Sequence, residues 1–227
     1  MDLLDIARGP ALWFALAVFA LGTLWRLAGV LRLPRRLDRS PPRAGAPGAA
    51  TAAARAVLSG LVPRRGFAPA TRIASFNGYV FHVGLALVVF GYAPHIAFVQ
   101  RLTGLSWPAL PDAVMYLAAA VTIVSLLMAL WLRLGDPVLR LISGPDDWIS
   151  WSVTFLPLVT GMAVATDPSA ALLARDAVLY RTPLAVHLLT LELLLVWFPF
   201  GKLMHAVLFA FSRGATGVRF AHRGVKV

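Results

Sequence analysis

Four of the five histidines in this 227-residue chain fall inside long apolar runs: His82 and His95 in residues 75–99, His187 and His205 in residues 184–211. An ionisable side chain within a spanning segment is costly, so each is a candidate functional residue. His187 and His205 are eighteen residues apart, five whole turns at 3.6 residues per turn. One continuous helix over 184–211 therefore presents both imidazoles on one face, separated by roughly 27 Å, close to the thickness of a bilayer's hydrocarbon core.

Alternation of spans places His82 beside His205 at one surface and His95 beside His187 at the other. Paired imidazoles facing each other across a helix bundle are what a six-coordinate haem iron takes, one nitrogen above the porphyrin and one below. Two non-covalent b-type haems with axial ligand pairs His82/His205 and His95/His187 are the resulting expectation. Gly78, Gly84 and Gly91 offer small residues where a macrocycle would lie. His95 follows His82 by thirteen residues, about 220° of rotation on an ideal helix. Pro94 is therefore expected to kink or re-phase that helix end.

The elements that position these residues are apolar. The chain is 59% hydrophobic and 14% charged, with a mean hydropathy of +0.76, which places it among integral membrane proteins. Five segments are long enough to cross, at about 11–31, 75–99, 112–134, 148–166 and 184–211. The fold class expected is an all-α membrane protein with five transmembrane helices in a single domain spanning residues 1–227. The absence of cysteine excludes disulfides, cysteine-ligated iron–sulfur clusters and covalent haem.

Residues 32–72 hold nine arginines against one acid, Asp38, and prolines at 34, 41, 42, 47, 63 and 69. The segment reads as a mostly irregular basic loop with a short helix around 52–61. By the positive-inside rule it is cytoplasmic. Alternation then leaves Arg8, Arg101, Arg175 and Arg181 outside and the other 17 of 21 basic residues inside. The topology expected is N-terminus outside and C-terminus cytoplasmic, in a bacterial inner membrane. The acidic start, with Asp2 and Asp5 against Arg8, has the wrong sign for a cleaved signal peptide. Asp146 and Asp147 are placed to cap the fourth span, and Ser75 or Asn77 the second.

The sequence Phe81-His82-Val83-Gly84, and His187 followed after an apolar run by Phe198-Pro199-Phe200-Gly201-Lys202-Leu203-Met204-His205, resemble the ligand helices of the gamma subunit of respiratory nitrate reductase. That family is a five-helix di-haem cytochrome b, and the likeness covers roughly residues 74–211. It implies that His82 and His205 hold the cytoplasmic-side haem and that His187 ligates the outer one. In the family the second ligand follows the first by ten residues, a position held here by Tyr92, so His95 or Tyr92 completes the outer site. The family's quinol-associated lysine has no counterpart near residues 112–116. In these respects the chain is more similar to the membrane cytochromes of Dsr-type complexes, heterodisulfide-reductase-like complexes and some hydrogenases. Their cytoplasmic partner is an iron–sulfur protein.

The function expected is that of a membrane-anchor subunit passing electrons between the quinone pool outside and a cytoplasmic iron–sulfur partner, within a larger respiratory complex. No residue is assigned a catalytic role. Tyr92, Arg101 and Asp112 are candidates for quinone contacts, and Lys202 for a haem propionate. Glu192, rotated about 140° from the His187 face, reads as a protonated carboxyl bonded to a neighbouring helix or as a proton relay. His222 reads as a solvated residue of the basic tail. The competing reading is a haem-free membrane scaffold or carrier whose histidines are structural. Nucleic acid is not an expected partner, because the basic residues segregate by loop.

Overall fold

The computed structural model describes residues 2–33, 38, 40–62, 68–165 and 177–225. Within them the chain is all-helical: α1 Leu3–Arg8, α2 Pro10–Leu31, α3 Ala49–Ser59, α4 Ala68–Gly91, α5 Ala93–Thr103, α6 Asp112–Gly135, α7 Pro137–Leu141, α8 Pro145–Ala165, α9 Ala177–Trp197 and α10 His205–His222. Four helices are long and apolar enough to cross a membrane, or five if Arg181–Trp197 and Lys202–His222 count as one broken span. Large apolar side chains such as Phe14, Leu21, Leu117 and Val124 are exposed on them, which acyl chains tolerate and water does not.

Two expected helices are interrupted. The run 75–99 is not one helix: α4 ends at Gly91, Tyr92 is extended (φ −81°, ψ 126°), and α5 restarts at Ala93 with Pro94 in its first turn. Proline is well placed there because a helix's first N–H groups have no intrahelical acceptor. The run 184–211 is likewise broken. α9 stops at Trp197, residues 198–201 are non-helical, and a short 3₁₀ turn over Lys202–Met204 precedes α10. Pro199 lacks the N–H that would continue the ladder, and Gly201 is extended. The five-turn register between His187 and His205 is thereby corrected: the two residues do not share a helix.

The chain divides into two compact units. The first comprises Met1–Ala17 and Arg72–Trp197. Here α4 meets α6 through Asn77, whose Nδ2 donates to the carbonyl of Ser125 at 2.9 Å, so Asn77 is a cross-helix tie rather than a cap. Gly84 lies against Thr122, and Gly91 lies against Leu110 and Met115. These two glycines admit neighbouring side chains, and only Gly78 borders open space, which revises their assignment to a macrocycle. α6 holds α8 through Trp151 Nε1 to the Leu126 carbonyl (3.0 Å) and Tyr116 Oη to the Ala165 carbonyl (2.9 Å). α8 holds α9 through Trp197 Nε1 to Ser150 Oγ (3.0 Å) and the Thr160–Thr190 hydroxyl pair (3.0 Å). Small polar side chains supply these contacts between apolar helices.

Both ends of this unit carry ionic contacts. Asp2 caps α1 in a capping box with Asp5, and Arg181 donates to both carboxylates (2.6 and 3.1 Å). The hydrogen bond from the Asp5 amide, aided by Arg181, holds the Asp2 carboxyl below its ordinary value. Below that contact α1 packs on α9, with Leu4 and Ala7 against Ala185. At the other end Asp147 accepts from the Gly144 amide and pairs with Arg133 at 3.1 Å.

The second unit comprises Val18–Thr71 and Phe198–Val227. The short helix expected around 52–61 is α3, and it packs with α10, which extends through the segment expected as a basic tail. α3 lies on α10 through Ala52 and Ala56 on one side and Gly214, Gly217 and Ala221 on the other, all buried. A methyl group at Gly217 would collide with Ala56 Cβ and lie 2.7 Å from the Ala52 carbonyl oxygen, so this approach requires glycine. The pair is closed by Arg223 Nε on Asp38 (2.7 Å), by His222 Nε2 on the Ser40 carbonyl (2.9 Å) and by the Arg43 amide on the His222 carbonyl (3.0 Å). His222 is therefore a tie between segments rather than a solvated residue.

Candidate functional site

A helix that stops leaves its last carbonyls without amide partners, and where water does not reach them each must be met by another donor. At the end of α4 the donors come from residues further along the chain. His95 Nδ1 donates back to the Val88 carbonyl at 2.9 Å, Trp107 Nε1 to Phe90, and the Leu110 amide to Gly91 at 2.9 Å. The interruption after Gly91 thus fixes His95 in the first turn of a new helix, with its ring turned over the end of the old one. Ile96, one residue on, is buried.

His187 is positioned by α8. Gly161 lets the imidazole lie directly on the α8 backbone, since a methyl group there would be 2.9 Å from His187 Cε1. Thr160 Oγ1 lies 3.3 Å from His187 Nδ1 and donates its one hydrogen to the Leu156 carbonyl at 2.8 Å. That contact gives the His187 ring a hydroxyl partner at Nδ1.

These two settings bring His95 and His187 together, with ring centres 6.3 Å apart and ring planes inclined by 17°. An iron between two imidazoles, with metal–nitrogen bonds of about 2 Å and ring centres about 1 Å behind the nitrogens, places the centres roughly 6 Å apart. The centre-to-centre spacing matches that of a bis-imidazole pair, and the near-parallel planes make a stacked arrangement. It is the pair for which thirteen residues on an unbroken helix gave the wrong azimuth, and the break supplies the re-phasing. Tyr92 stands at that break with its ring edge-on to His95 at 5.2 Å.

A shared feature concerns the other nitrogen. His82 Nδ1 donates to the Gly78 carbonyl (2.7 Å), His205 Nδ1 to the Lys202 carbonyl (2.8 Å) and His95 Nδ1 to Val88. A carbonyl only accepts, so Nδ1 carries the proton and Nε2 keeps a lone pair. That is the tautomer a metal-ligating histidine needs, with its second nitrogen oriented by a protein acceptor. His82, His95 and His205 hold this form, and Thr160 Oγ1 stands at Nδ1 of His187. His222 instead uses Nε2 on Ser40. Sequence spacing carries no sign of this tautomer pattern, which depends on which carbonyls the rings reach.

His82 belongs to the first unit and His205 to the second, and both are exposed. Arg101 lies on α5, with Nε on the Ala97 carbonyl, and Asp112 opens α6; both are exposed, as is Lys202. Glu192 is buried, and its Oε1 has no hydrogen-bond partner among the described residues, so the expected bond to a neighbouring helix is not seen at that atom. Among the described residues no three or more histidine, cysteine, aspartate or glutamate side chains group to hold a metal ion. A zinc-type site draws on three or four such ligands, whereas haem asks for two. Arg175 and Asp176 lie outside the described residues.

No family model and no solved structure matches the chain. A protein of Nitratidesulfovibrio vulgaris is 34% identical to it over 218 residues, an alignment that covers 94% of this chain and 91% of the relative. On that extent of identity, the chain belongs to the same family as the Nitratidesulfovibrio vulgaris protein.

Proposed function

We propose that this chain is a di-haem b-type membrane cytochrome, the anchor subunit that passes electrons between quinone and a cytoplasmic iron–sulfur partner. The observation that carries the reading is the His95–His187 pair, 6.3 Å between ring centres, with the Nδ1 of each ring held by a protein oxygen. His95 and His187 would hold the outer haem. His82 and His205, each with Nδ1 on a protein carbonyl, are the candidate ligands for the inner one, in the orientation N-terminus outside and C-terminus inside that the positive-inside rule favours.

Haem, when bound, supplies one-electron transfer, and the quinol delivers two electrons and two protons in two successive steps. The chain's own residues do three things. Four imidazoles present lone pairs in fixed directions. Val88, Thr160, Gly78 and Lys202 hold the opposite ring nitrogens and so raise ligand basicity. The apolar helices exclude water, which tunes potential. Tyr92 and Arg101 stand on the His95 side of the α4 break, and Asp112 follows at the start of α6; these are the candidate quinone contacts. Lys202, whose carbonyl orients His205, is the candidate propionate contact.

A reduced-minus-oxidised spectrum of the purified protein, with a pyridine assay for haem content, tests the reading. A b-type α-band with two haems per chain is expected. A purified, folded chain with neither would sink the proposal and leave a haem-free scaffold.

A further inference from the structure

The packed pair α3–α10 is chemically one-sided. Asp38 is the single acidic residue of its unit, and residues 39–72 and 202–227 contain none. Asp38 is itself taken up by Arg223 and Ser40. Around α10, at 100° per residue, Gly214, Gly217 and Ala221 mark the buried side. The opposite side carries Ser212, Ala215, Thr216 and Arg219, all exposed, and Arg223, just past the helix, is the arginine on Asp38. Phe211 and Phe220 flank this strip, 45% and 37% exposed.

That distribution discriminates between two surfaces attractive to arginine. A helix lying in a lipid headgroup layer turns an apolar face outward to the acyl chains. The outward face of α10 is instead polar and basic, with its aromatics at the margins. Arginine and aromatic residues without acids are the composition of a protein-docking surface, and a field of one sign selects a partner of the other. The helix also opens with His205, a proposed inner-haem ligand.

We propose that the outward face of α10, at Ser212, Thr216 and Arg219, is the docking surface for an acidic soluble electron-transfer protein. The electron-transfer part rests on the cytochrome reading; the surface does not. Docking here brings the partner's cofactor to the end of the helix that His205 begins.

The test uses the full-length protein in nanodiscs of zwitterionic lipid, with a small acidic ferredoxin as probe and lysozyme as a basic control. Ferredoxin is expected to bind, more weakly as salt rises, and Arg219→Glu combined with Ser212→Glu is expected to weaken binding about tenfold or more. Arg219→Lys should retain it. Absence of ferredoxin binding at low salt, equal binding of lysozyme, or indifference to the charge reversal would overturn the proposal. Because the chain has no cysteine, Ala215→Cys gives a single labelling site. Quenching of a fluorophore there by spin-labelled anionic lipid would place the face on the bilayer and also overturn the proposal. Haem content measured on the same samples separates the two ideas: charge-dependent binding without haem sinks the cytochrome and leaves the docking surface. Haem without charge-dependent binding does the reverse.

Discussion

His95 and His187 stand with ring centres 6.3 Å apart although they come from helices that place them by different means. His95 is set by the end of α4, whose Val88 carbonyl it takes up. His187 is set by the α8 backbone at Gly161 and by the Thr160 hydroxyl.

Replacing either histidine should therefore abolish one haem and leave the other. His95→Ala is expected to reduce haem content to about half, whereas Tyr92→Phe, which keeps the ring and removes the hydroxyl, should leave two haems. Pyridine assays on the two variants decide it; loss of haem in Tyr92→Phe alone would make the tyrosine the ligand.

Thr160→Val removes the hydroxyl partner of His187 Nδ1 without changing side-chain volume much. Loss of such an outer partner typically costs about 10–100-fold in metal affinity. Haem titration of the stripped protein should show weakening of that order at the outer site, with Thr160→Ser near wild type.

Gly161→Ala puts a methyl group 2.9 Å from His187 Cε1, and the ring must shift. Overpacking of this kind costs about 1–3 kcal/mol. A lower Tm together with selective disturbance of the outer-haem spectrum is expected. Gly135→Ala, where the added group meets open space, should do neither.

The Asp38–Arg223 tie gives a pH dependence with a defined sign. The Ser40 hydroxyl and amide, with Arg223, hold the Asp38 carboxyl well below the ordinary carboxylate value of 3.8. Its contribution is thus fully present above 3.8 and is lost only as pH falls through the lower folded value. Hydrogen exchange at the α10 end should show no loosening from neutral pH down to about 4 that depends on this carboxyl. Asp38→Asn should raise exchange there at neutral pH already.

The helical class and the candidate spans were legible because their apolar runs are long, and the four histidines stood out because ionisable residues in such runs are rare. What spacing concealed were the two breaks. Pro94 announced a kink, whereas Pro199 was read as part of one helix over 184–211, and which residue leaves the helix depends on where donors exist to meet the freed carbonyls. Trp107 and Leu110, which supply two of them, lie well beyond the apolar run. The α3–α10 pair was hidden for a different reason. Its interface is made of alanine and glycine, which carry almost no hydrophobic signal but permit the closest backbone approach.

The extended residue at Tyr92 also uncouples the chain's arithmetic from its geometry. A ligand carried on an unbroken helix has its height and direction tied to the number of residues before it, so every insertion or deletion moves it. A side chain that begins a new helix takes its direction from the carbonyls at the end of the old one that it bonds, not from its residue count. The thirteen-residue interval from His82 to His95 is therefore no measure of the angle between their rings.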